Sequence, residues 1–316
     1  MHSGKMTAVR HRKTFLFVST LLALSSFQMA GASVAPSATT LANQVSEATA
    51  ATALTNSELR ALPTLNQDNF GTYLNAHAPG CLTFTGACDF GTITSKVNVV
   101  VFGDSHAVMW LPAIVALYGS DHILLRWRPS CGAAKIPVID LKFHIVVPGC
   151  EKWRRESIPV INALHPKVTI IAERTSHTTG PSGSWTTDAQ WKRGLTTTLK
   201  ALKAGGSHPL VLGDIPALEP QPASCLSINP TSIQKCTVQL ATRSMSYRGH
   251  VAGERAAAHQ VGVPFINTEP WLCDAKRRCP AVVAGHFTHA DWSHLTMTYA
   301  AYLSQVFRAA VPAGLR

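Results

Sequence analysis

Short runs of β-branched and other apolar residues alternate with longer amphipathic stretches from Val97 onward. The short runs have the length of strands and the longer stretches the length of helices. This alternation is typical of βαβ units that build a parallel sheet buried on both faces. Strands are predicted at Val97–Phe102, Ile123–Trp127, Val168–Ala172, Leu210–Leu212 and Pro264–Ile266. Helices are predicted at Ala107–Tyr118, Trp153–Leu164, Thr187–Lys203, Ser232–His259 and Thr296–Ala309.

The pattern predicts an α/β fold, a three-layer α/β/α sandwich around a five-stranded parallel sheet. In open sheets of this kind, ligands bind outside the carboxyl ends of the strands. The loops that follow the strands are therefore the first places to look for chemistry.

The chain ahead of the first predicted strand divides into three parts. Residues 1–32 are basic, then apolar, and end in small residues, which is the pattern of a secretory signal peptide. An uncleaved N-terminal membrane anchor is the competing interpretation, which the polar residues inside the apolar stretch disfavour. Residues 33–60, rich in Ala, Thr and Ser, are predicted as a flexible linker or frayed helix. Residues 61–96 are predicted as a disulfide-stapled lead-in to a domain that spans residues 97–316.

Composition favours a globular protein, and the signal-like segment predicts that it is secreted or associated with the cell envelope. Apolar residues make up 46% of the chain and charged residues 14%, which argues against a disordered or coiled-coil protein. Part of the net charge of +11 comes from the basic residues of the signal-like segment. No other run of Lys and Arg is interleaved with aromatic residues, so nucleic acid is not predicted as a partner.

The eight cysteines fall into close pairs along the chain. Outside the cytosol an even number of cysteines favours complete pairing, and short loops favour pairing between neighbours. The predicted disulfides are Cys81–Cys88, Cys131–Cys150, Cys225–Cys236 and Cys273–Cys279. Structural zinc is the less favoured alternative, because the sequence has no Cys-x-x-Cys motif.

The first candidate for chemistry is the segment Gly103-Asp104-Ser105-His106, between the first predicted strand and its helix. A serine there has its hydroxyl at the carboxyl edge of the sheet and its N–H at a helix N-terminus, where developing negative charge is stabilised. The alternative is that Asp104 or Ser105 only caps the helix.

The second candidate is Asp291-Trp292-Ser293-His294, just before the last predicted helix. A serine nucleophile needs a base and a carboxylate that orients the base, and an Asp and a His three residues apart can meet on one side of a turn. The segment alone is equally consistent with a helix entry capped by Asp291 or Ser293.

Together these segments resemble the SGNH (GDSL-like) hydrolase superfamily, which has a flavodoxin-like fold. The chain is most similar to the SGNH domains attached to membrane acyltransferases that O-acylate bacterial surface polysaccharides. The likeness covers roughly residues 80–310 and includes Trp110-Leu111-Pro112-Ala113, Cys131, Cys150-x-x-Trp153, Leu212-Gly213-Asp214-x-Pro216, Cys225-Leu226, Leu272-Cys273 and Cys279. The resemblance implies that Ser105 is the nucleophile, His294 the base and Asp291 its orienting partner, with no cofactor.

The chain departs from the family pattern at the oxyanion hole. The family draws on a glycine after the second strand and an asparagine after the third, but the third predicted strand is followed by Glu173-Arg174-Thr175. Gly132 is a stand-in for the glycine, and Arg174 is a candidate source of positive charge. His106 is expected to contact a substrate or to pack against the turn, in preference to acting as a second base. Loss of one oxyanion donor typically lowers the rate by about 10² to 10³.

A metal site is the alternative use of the C-terminal histidines. His286, His289, Asp291 and His294 have residue types and spacing that suit zinc. Their use as ligands would take Asp291 and His294 away from Ser105. We expect no metal, and we expect the pKa of His294 to be raised by its carboxylate neighbour.

The sequence therefore predicts an exported serine esterase or O-acyltransferase that acts on acyl, principally acetyl, esters of cell-envelope carbohydrate. The alternative is a non-catalytic glycan-binding module of the same fold that partners a membrane acyltransferase. The departure at the oxyanion hole favours this alternative, and the presence of all three triad residue types disfavours it.

Overall fold

A six-stranded sheet lies at the centre of the computed structural model, which describes residues 35–83, 88–140, 145–175, 186–240 and 249–316. Its strands are β1 Cys88–Gly91, β2 Val99–Gly103, β3 His122–Trp127, β4 Val168–Ala172, β5 Pro209–Leu212 and β6 Phe265–Ile266. The strand order is β1-β3-β2-β4-β5-β6, and all neighbours are parallel except β1 and β3. The predicted α/β class is confirmed. The sheet has one strand more than the five predicted, because β1 adds an antiparallel edge from within the lead-in.

Helices cover both faces of the sheet. They are α1 Ala38–Ala48, α2 Asn56–Ala61, α3 Phe70–His77, α4 Ser105–Met109, α5 Leu111–Tyr118, α6 Cys150–Leu164, α7 Asp188–Ala204, α8 Pro222–Ile228, α9 Val251–Val261, α10 Met297–Tyr302 and α11 Ser304–Ala310. Short strand pairs lie outside the sheet at Ile139–Asp140 with Ile145–Val146, Val238–Gln239 with Arg278–Cys279, and Val282–Val283 with His286–Phe287.

Alternate residues of each strand face different helical layers, because successive side chains of a strand point to opposite faces. Val99 and Val101 lie in one core with α4, α5, α10 and α11. Val100 and Phe102 lie in the other core with α6, α7 and α9. The inner strands β2, β4 and β5 are thus buried on both faces, which is why they read as nearly continuous apolar runs.

The segment expected to be a flexible linker or a frayed helix, residues 33–60, contains α1 and α2. Leu41 and Val45, four residues apart on α1, are buried in the same core as the sheet. The hydroxyl of Tyr302 also donates to the Gln44 side chain at 2.8 Å. The segment has few apolar residues, so its sequence resembles a linker. Two correctly spaced apolar side chains are nevertheless enough to dock the helix.

The prediction of a helix at Ser232–His259 is wrong for the first part of this range. Ile233–Cys236 is a 3₁₀ turn and Val238–Gln239 a short strand, and the described helix begins at Val251. Ile233 and Val238 are buried in this irregular form, and the Cys225–Cys236 disulfide ties the turn to α8. The Cys225–Cys236 disulfide, and not the packing of a helix, therefore holds this segment against α8.

All four predicted disulfides are present, and the pairing of neighbours is confirmed. The signal peptide predicted over residues 1–32 lies outside the described residues. Among the helices that the structure describes, none is long and apolar enough to cross a membrane.

Candidate active site

Ser105 lies at the carboxyl end of β2, at the first position of α4. Asp104 caps this helix, since its Oδ1 accepts a hydrogen bond from the N–H of His106 at 2.8 Å. As the first residue of the helix, Ser105 has no intrahelical acceptor for its own N–H. Gly103 makes the turn sterically feasible, because a Cβ there would lie 1.8 Å from the carbonyl oxygen of Ala172.

The Ser105 hydroxyl is hydrogen-bonded to His294, which comes from the loop before α10. His294 Nε2 lies 2.8 Å from Ser105 Oγ, and His294 Nδ1 lies 2.7 Å from Asp291 Oδ2. The other carboxylate oxygen of Asp291 accepts from the N–H groups of Ser293 and His294 at 2.7 and 2.8 Å. The three residues expected to act together are therefore hydrogen-bonded in series.

The carboxylate fixes the tautomer of the histidine. Asp291 accepts hydrogen bonds in its ionised form, so Nδ1 of His294 carries the proton and Nε2 presents a lone pair to Ser105. Burial would raise the pKa of Asp291, but the hydrogen bond and charge of His294, with the backbone N–H groups, hold that pKa well below its ordinary value. Asp291 is thus ionised and oriented by its own loop.

The expectation for the pKa of His294 was wrong in direction. Burial lowers this pKa, the hydrogen bond to Asp291 raises it, and the charge of His106 lowers it again. The net result is a pKa below the ordinary histidine value. Burial and a second histidine together outweigh the carboxylate, and neither is visible in the spacing of Asp291 and His294.

Gly132 lies against the buried side chain of Glu173. A Cβ at position 132 would approach Glu173 Oε2 to 2.4 Å. The same oxygen accepts from the N–H of Ala134 at 2.7 Å, and burial raises the pKa of Glu173 to about 8. Close packing against this carboxyl group therefore requires a glycine at position 132. This holds whether or not Gly132 contributes to an oxyanion hole.

Arg174 follows β4 and lies beside the triad. Its backbone N–H donates to both carboxylate oxygens of Asp104, at 3.2 and 3.0 Å. Its guanidinium lies over the ring of Trp292, with 4.3 Å from Cζ to the ring centre. The half-buried Trp292 directly follows Asp291, so a cation and an aromatic face flank the orienting carboxylate.

His106 points away from solvent. Its side chain is 1% exposed and its Nδ1 lies 2.7 Å from Oδ1 of Asp214, which follows β5. The expectation that His106 contacts a substrate does not fit this burial. Asp214 was noted only as part of a motif; its position just after a strand, like that of Asp104, was the available signal for a role in the site.

The C-terminal histidines are not gathered around one point. His289 is buried, with Nδ1 bonded to Thr288 Oγ1 and Nε2 to the Pro216 carbonyl. His286 stacks on Tyr302 instead, with 4.4 Å between ring centres. Within the described parts of the chain, no three or more His, Cys, Asp or Glu side chains are arranged to hold a metal ion.

The lead-in also contributes to the site, which was not predicted from the sequence. The ring of Phe70, at the start of α3, lies 4.8 Å from the ring of His294. Asp68 accepts from the N–H of Met297 at 3.0 Å and from the N–H and hydroxyl of Thr298, in the first turn of α10. Only the tertiary fold brings these residues to the loop that carries His294.

Comparison with known proteins gives one family and several similar folds. The family model described as SGNH domain (fused to AT3 domains) matches residues 72–309. The periplasmic domain of a lipopolysaccharide acetyltransferase from Salmonella ser. Paratyphi A superposes with a TM-score of 0.55 at 17% identity, covering 75% of this chain and 95% of that one.

Two further solved structures are more distant. One, described as an acylhydrolase from Bacteroides fragilis, has a TM-score of 0.44 at 13% identity over 72% of this chain and 91% of its own. The other, a GDSL-like lipase from Bacteroides thetaiotaomicron, has a TM-score of 0.41 at 14% identity over 77% and 97%. A search of curated proteins returned no match.

Proposed function

The chain belongs to the family of SGNH domains fused to AT3 domains, and on that premise we propose that it is an exported serine esterase or O-acyltransferase. Its proposed substrates are acyl, principally acetyl, esters of cell-envelope carbohydrate. The observation that carries the proposal is the hydrogen-bonded series Ser105, His294, Asp291 at the carboxyl end of the sheet. Family membership supports the acyl-ester chemistry.

In the proposed first step, Ser105 Oγ attacks the ester carbonyl while His294 Nε2 takes its proton. The negative charge that develops on the carbonyl oxygen lies near the N–H of Ser105 and the N-terminus of α4. Arg174 adds positive charge on the same side of the sheet. Asp291 stabilises the imidazolium that forms and keeps it in the orientation that faces the serine.

In the second step, the tetrahedral intermediate expels the sugar oxygen, which receives the proton held by His294. The acyl group is then bound to Ser105 as an ester. Water or a second sugar hydroxyl gives its proton to His294 and attacks this ester, which frees Ser105. Attack by water makes the protein an esterase, and attack by a sugar hydroxyl makes it a transferase.

Export and partnership are part of the proposal. Four disulfides support an oxidising compartment, and the superposed lipopolysaccharide acetyltransferase domain is periplasmic. The family is described by its fusion to AT3 domains, which supports a membrane acyltransferase as the partner. A polysaccharide that carries acetyl groups is the substrate we propose for both.

A glycan-binding module without turnover is the second candidate. The observation in its favour is the segment Glu173-Arg174-Thr175, which occupies the place of the asparagine donor of the oxyanion hole. The backbone N–H groups of Arg174 and Thr175 are already bound to Asp104 and Asp214. Binding of an acetylated glycan with no ester cleavage would identify this second function.

The first prediction tests the nucleophile. Ser105→Ala should lower hydrolysis of a chromogenic acetyl ester by about 10³-fold or more, because the attacking hydroxyl is lost. Ser120→Ala, at an exposed serine, is the control and should leave hydrolysis unchanged. Initial rates of the purified proteins, with circular dichroism to confirm folding, provide the measurement. Equal rates for the two variants would refute a role for Ser105.

A chelator distinguishes the metal alternative in the same assay. We expect EDTA to leave the rate unchanged, since the nitrogens of His289 and His294 are bound to protein groups. Loss of activity that zinc restores would assign the histidines to a metal instead.

A further inference from the structure

Two adjoining cavities lie between helices α6 and α7, beside the loop that follows β3. Their volumes are about 260 and 240 Å³, and Lys135 and Thr197 line both. We call the two together the α6–α7 cleft. Gln190 and Arg193, in the first turns of α7, line the larger cavity. A helix that connects parallel strands starts at the carboxyl edge of the sheet, so this end of the cleft lies on the same edge as Ser105.

The loop after β3 forms one wall of the cleft, and both helices hold it in place. The hydroxyl of Thr198 in α7 donates to the Ala133 carbonyl at 2.6 Å. From α6, Arg154 Nη2 donates to the Ile136 carbonyl at 2.8 Å. A Cβ at Gly194 would lie 2.6 Å from the Ile136 side chain, so α7 packs closely on this loop. Contacts within the protein therefore preform the wall.

Positive charge predominates among the described residues that line the cleft. The cations are Lys135, Arg154, Arg155 and Arg193, and the one carboxylate is Glu151. Glu151 Oε2 lies 2.9 Å from Arg154 Nη1, and its Oε1 lies 3.7 Å from Lys135 Nζ. Arg155 and Arg193 form no ion pair with any described residue. Arginine and exposed lysine are charged at neutral pH, so four cations stand against one carboxylate.

Arg154 is the most deeply buried of these cations. Its side chain is 3% exposed, whereas that of Glu151, its ion-pair partner, is 53% exposed. Burial lowers the pKa of Arg154 by more than the charges of Glu151 and Glu173 raise it. Its Nε has no hydrogen-bond partner among the described residues. A buried charge is costly unless it is well paired, so an anion in the cleft would stabilise this guanidinium.

The rest of the lining suits a sugar ring. Ile158, Pro159 and Ala201 give the smaller cavity an apolar side. Gln190 and Thr197 add an amide and a hydroxyl in the larger cavity. A pyranose ring has a face of C–H groups and a rim of hydroxyls, so it matches both kinds of surface. Binding pockets commonly combine an apolar lining with a few polar groups in this way.

We propose that the α6–α7 cleft binds a negatively charged sugar unit of the glycan whose ester reacts at Ser105. The inference rests on the proposed function and narrows its substrate class to acidic polysaccharides. Arginine binds carboxylate and phosphate groups alike, so a uronic acid or a phosphorylated sugar has the required chemistry. The cleft contributes to substrate binding and takes no part in breaking the ester bond.

Binding without turnover is the first test, measured by calorimetry on Ser105→Ala. The probes are an oligomer of galacturonic acid with its methyl ester, and a maltose oligomer with and without phosphate groups. At least one acidic oligomer should bind about tenfold more tightly than its neutral counterpart, and added salt should weaken this preference. The pair that shows the preference identifies the anionic group as carboxylate or phosphate. Equal affinity for the charged and neutral members of both pairs overturns the proposal.

Charge removal at exposed positions assigns the binding to the cleft. Lys135→Gln with Arg155→Gln, added to Ser105→Ala, should lower the affinity for the acidic oligomer about tenfold, because two exposed cations are lost. Arg60→Gln with Lys167→Gln is the matched control, which removes the same charge from α2 and from the residue just before β4. This control should bind as tightly as Ser105→Ala alone. An equal loss of affinity in the two sets overturns the proposal.

Recognition of sugar and coupling to turnover are tested separately. A polyglutamate of equal charge should bind more weakly than the acidic oligomer, and equally tight binding overturns sugar recognition. With Ser105 intact, Lys135→Gln with Arg155→Gln should raise KM for an acetylated acidic oligomer and leave kcat unchanged. Binding that depends on the cleft, without any ester hydrolysis, supports the cleft and refutes only the proposed function. Ester hydrolysis without such binding overturns the cleft alone.

Discussion

The imidazole of His294 shows how far single residues determine the chemistry of the site. Its Nδ1 is bound to Asp291 and its Nε2 to Ser105, while Phe70 and His106 pack on the ring. Burial is the largest influence on its pKa and lowers it. The neutral form, which can accept a proton, therefore predominates at neutral pH.

This geometry predicts the pH dependence of turnover. The base must be neutral, so kcat/KM should rise with pH as His294 loses its proton, with a midpoint below the ordinary histidine value of about 6.5. Asp291→Asn removes the hydrogen bond that raises this pKa, and it should move the midpoint lower and reduce the rate. Measurement of kcat/KM on an acetyl ester between about pH 4 and pH 8 checks both expectations.

The same series of residues predicts non-additive losses. His294→Ala should be about as damaging as Ser105→Ala, and the double variant should be little worse than either, because the residues act as one unit. If His294→Ala kept near-normal turnover, the base would have to lie elsewhere and the proposed mechanism would fail.

For single residues, the sequence indicated which side chains form the candidate site, but it did not indicate the direction of the His294 pKa. Ser105, Asp291 and His294 were predicted from motifs at the ends of a strand and before a helix, and the structure brings them together. The direction of the His294 pKa was not predictable, because burial and the approach of His106 depend on the packing of distant segments. Gly132 was predicted as a stand-in for the oxyanion-hole glycine, and its close packing against the Glu173 side chain was not predictable because Glu173 lies in another loop.

Among the elements, helix α3 and the residue Asp68 just before it contact the loop that carries His294 or the helix α10 that follows this loop. Asp68 accepts hydrogen bonds from the N–H groups of Met297 and Thr298 in the first turn of α10, and the Phe70 ring packs on the imidazole of His294. Both residues precede the segment 72–309 that the family model matches. This chain therefore uses part of its own lead-in to hold the proposed base.

Loss of the hydrogen bonds between Asp68 and the start of α10 should lower both turnover and stability. Asp68→Ala should lower the free energy of unfolding by about 1 kcal/mol and reduce kcat several-fold, because the start of α10 and the preceding His294 are less well held. Thr55→Ala is the control, since Thr55 caps α2 with a bond to the N–H of Glu58. It should cost similar stability and leave kcat unchanged. Equal kcat values in the two variants would limit the role of Asp68 to stability.

Elements were predictable where their packing is regular. The strand at Val168–Ala172 was located with both its bounds, because it is buried on both faces and its run is apolar except for the β-branched Thr169. The helix of residues 38–48 was predicted only as a flexible linker or a frayed helix, because its apolar stripe is only two residues wide. The long helix across residues 232–259 was overpredicted, since apolar spacing does not reveal a segment that a disulfide holds as a turn.

For the whole molecule, two buried glutamates near the site make the stability of the fold depend on pH. Burial raises the pKa of Glu173 to about 8 and that of Glu254 well above its ordinary value. Both are more easily protonated in the folded chain than in the unfolded chain. Folding is therefore coupled to proton uptake, an effect that composition alone does not disclose.

The sign of the resulting pH dependence follows from the raised pKa values. The contribution of Glu173 is fully present below the unfolded value of about 4.5 and is lost as the pH rises through about 8. Thermal unfolding should therefore occur at lower temperature at about pH 9 than at about pH 6. Glu173→Gln should reduce this difference, whereas Glu47→Gln, at an exposed position, should not. An undiminished difference in Glu173→Gln would show that Glu173 is ionised in the folded protein.

The cysteines were predictable because their pairs are local, with sequence separations of 6 to 19 residues. The bond between Ser105 and His294 is the opposite case, since it joins residues 189 positions apart. The loop that carries His294 must dock beside the first parallel strand before the proposed reaction can begin. In a refolding experiment, local helical structure forms early by comparison with such a distant contact. Recovery of turnover therefore marks the end of the folding reaction and counts only those molecules that have completed it.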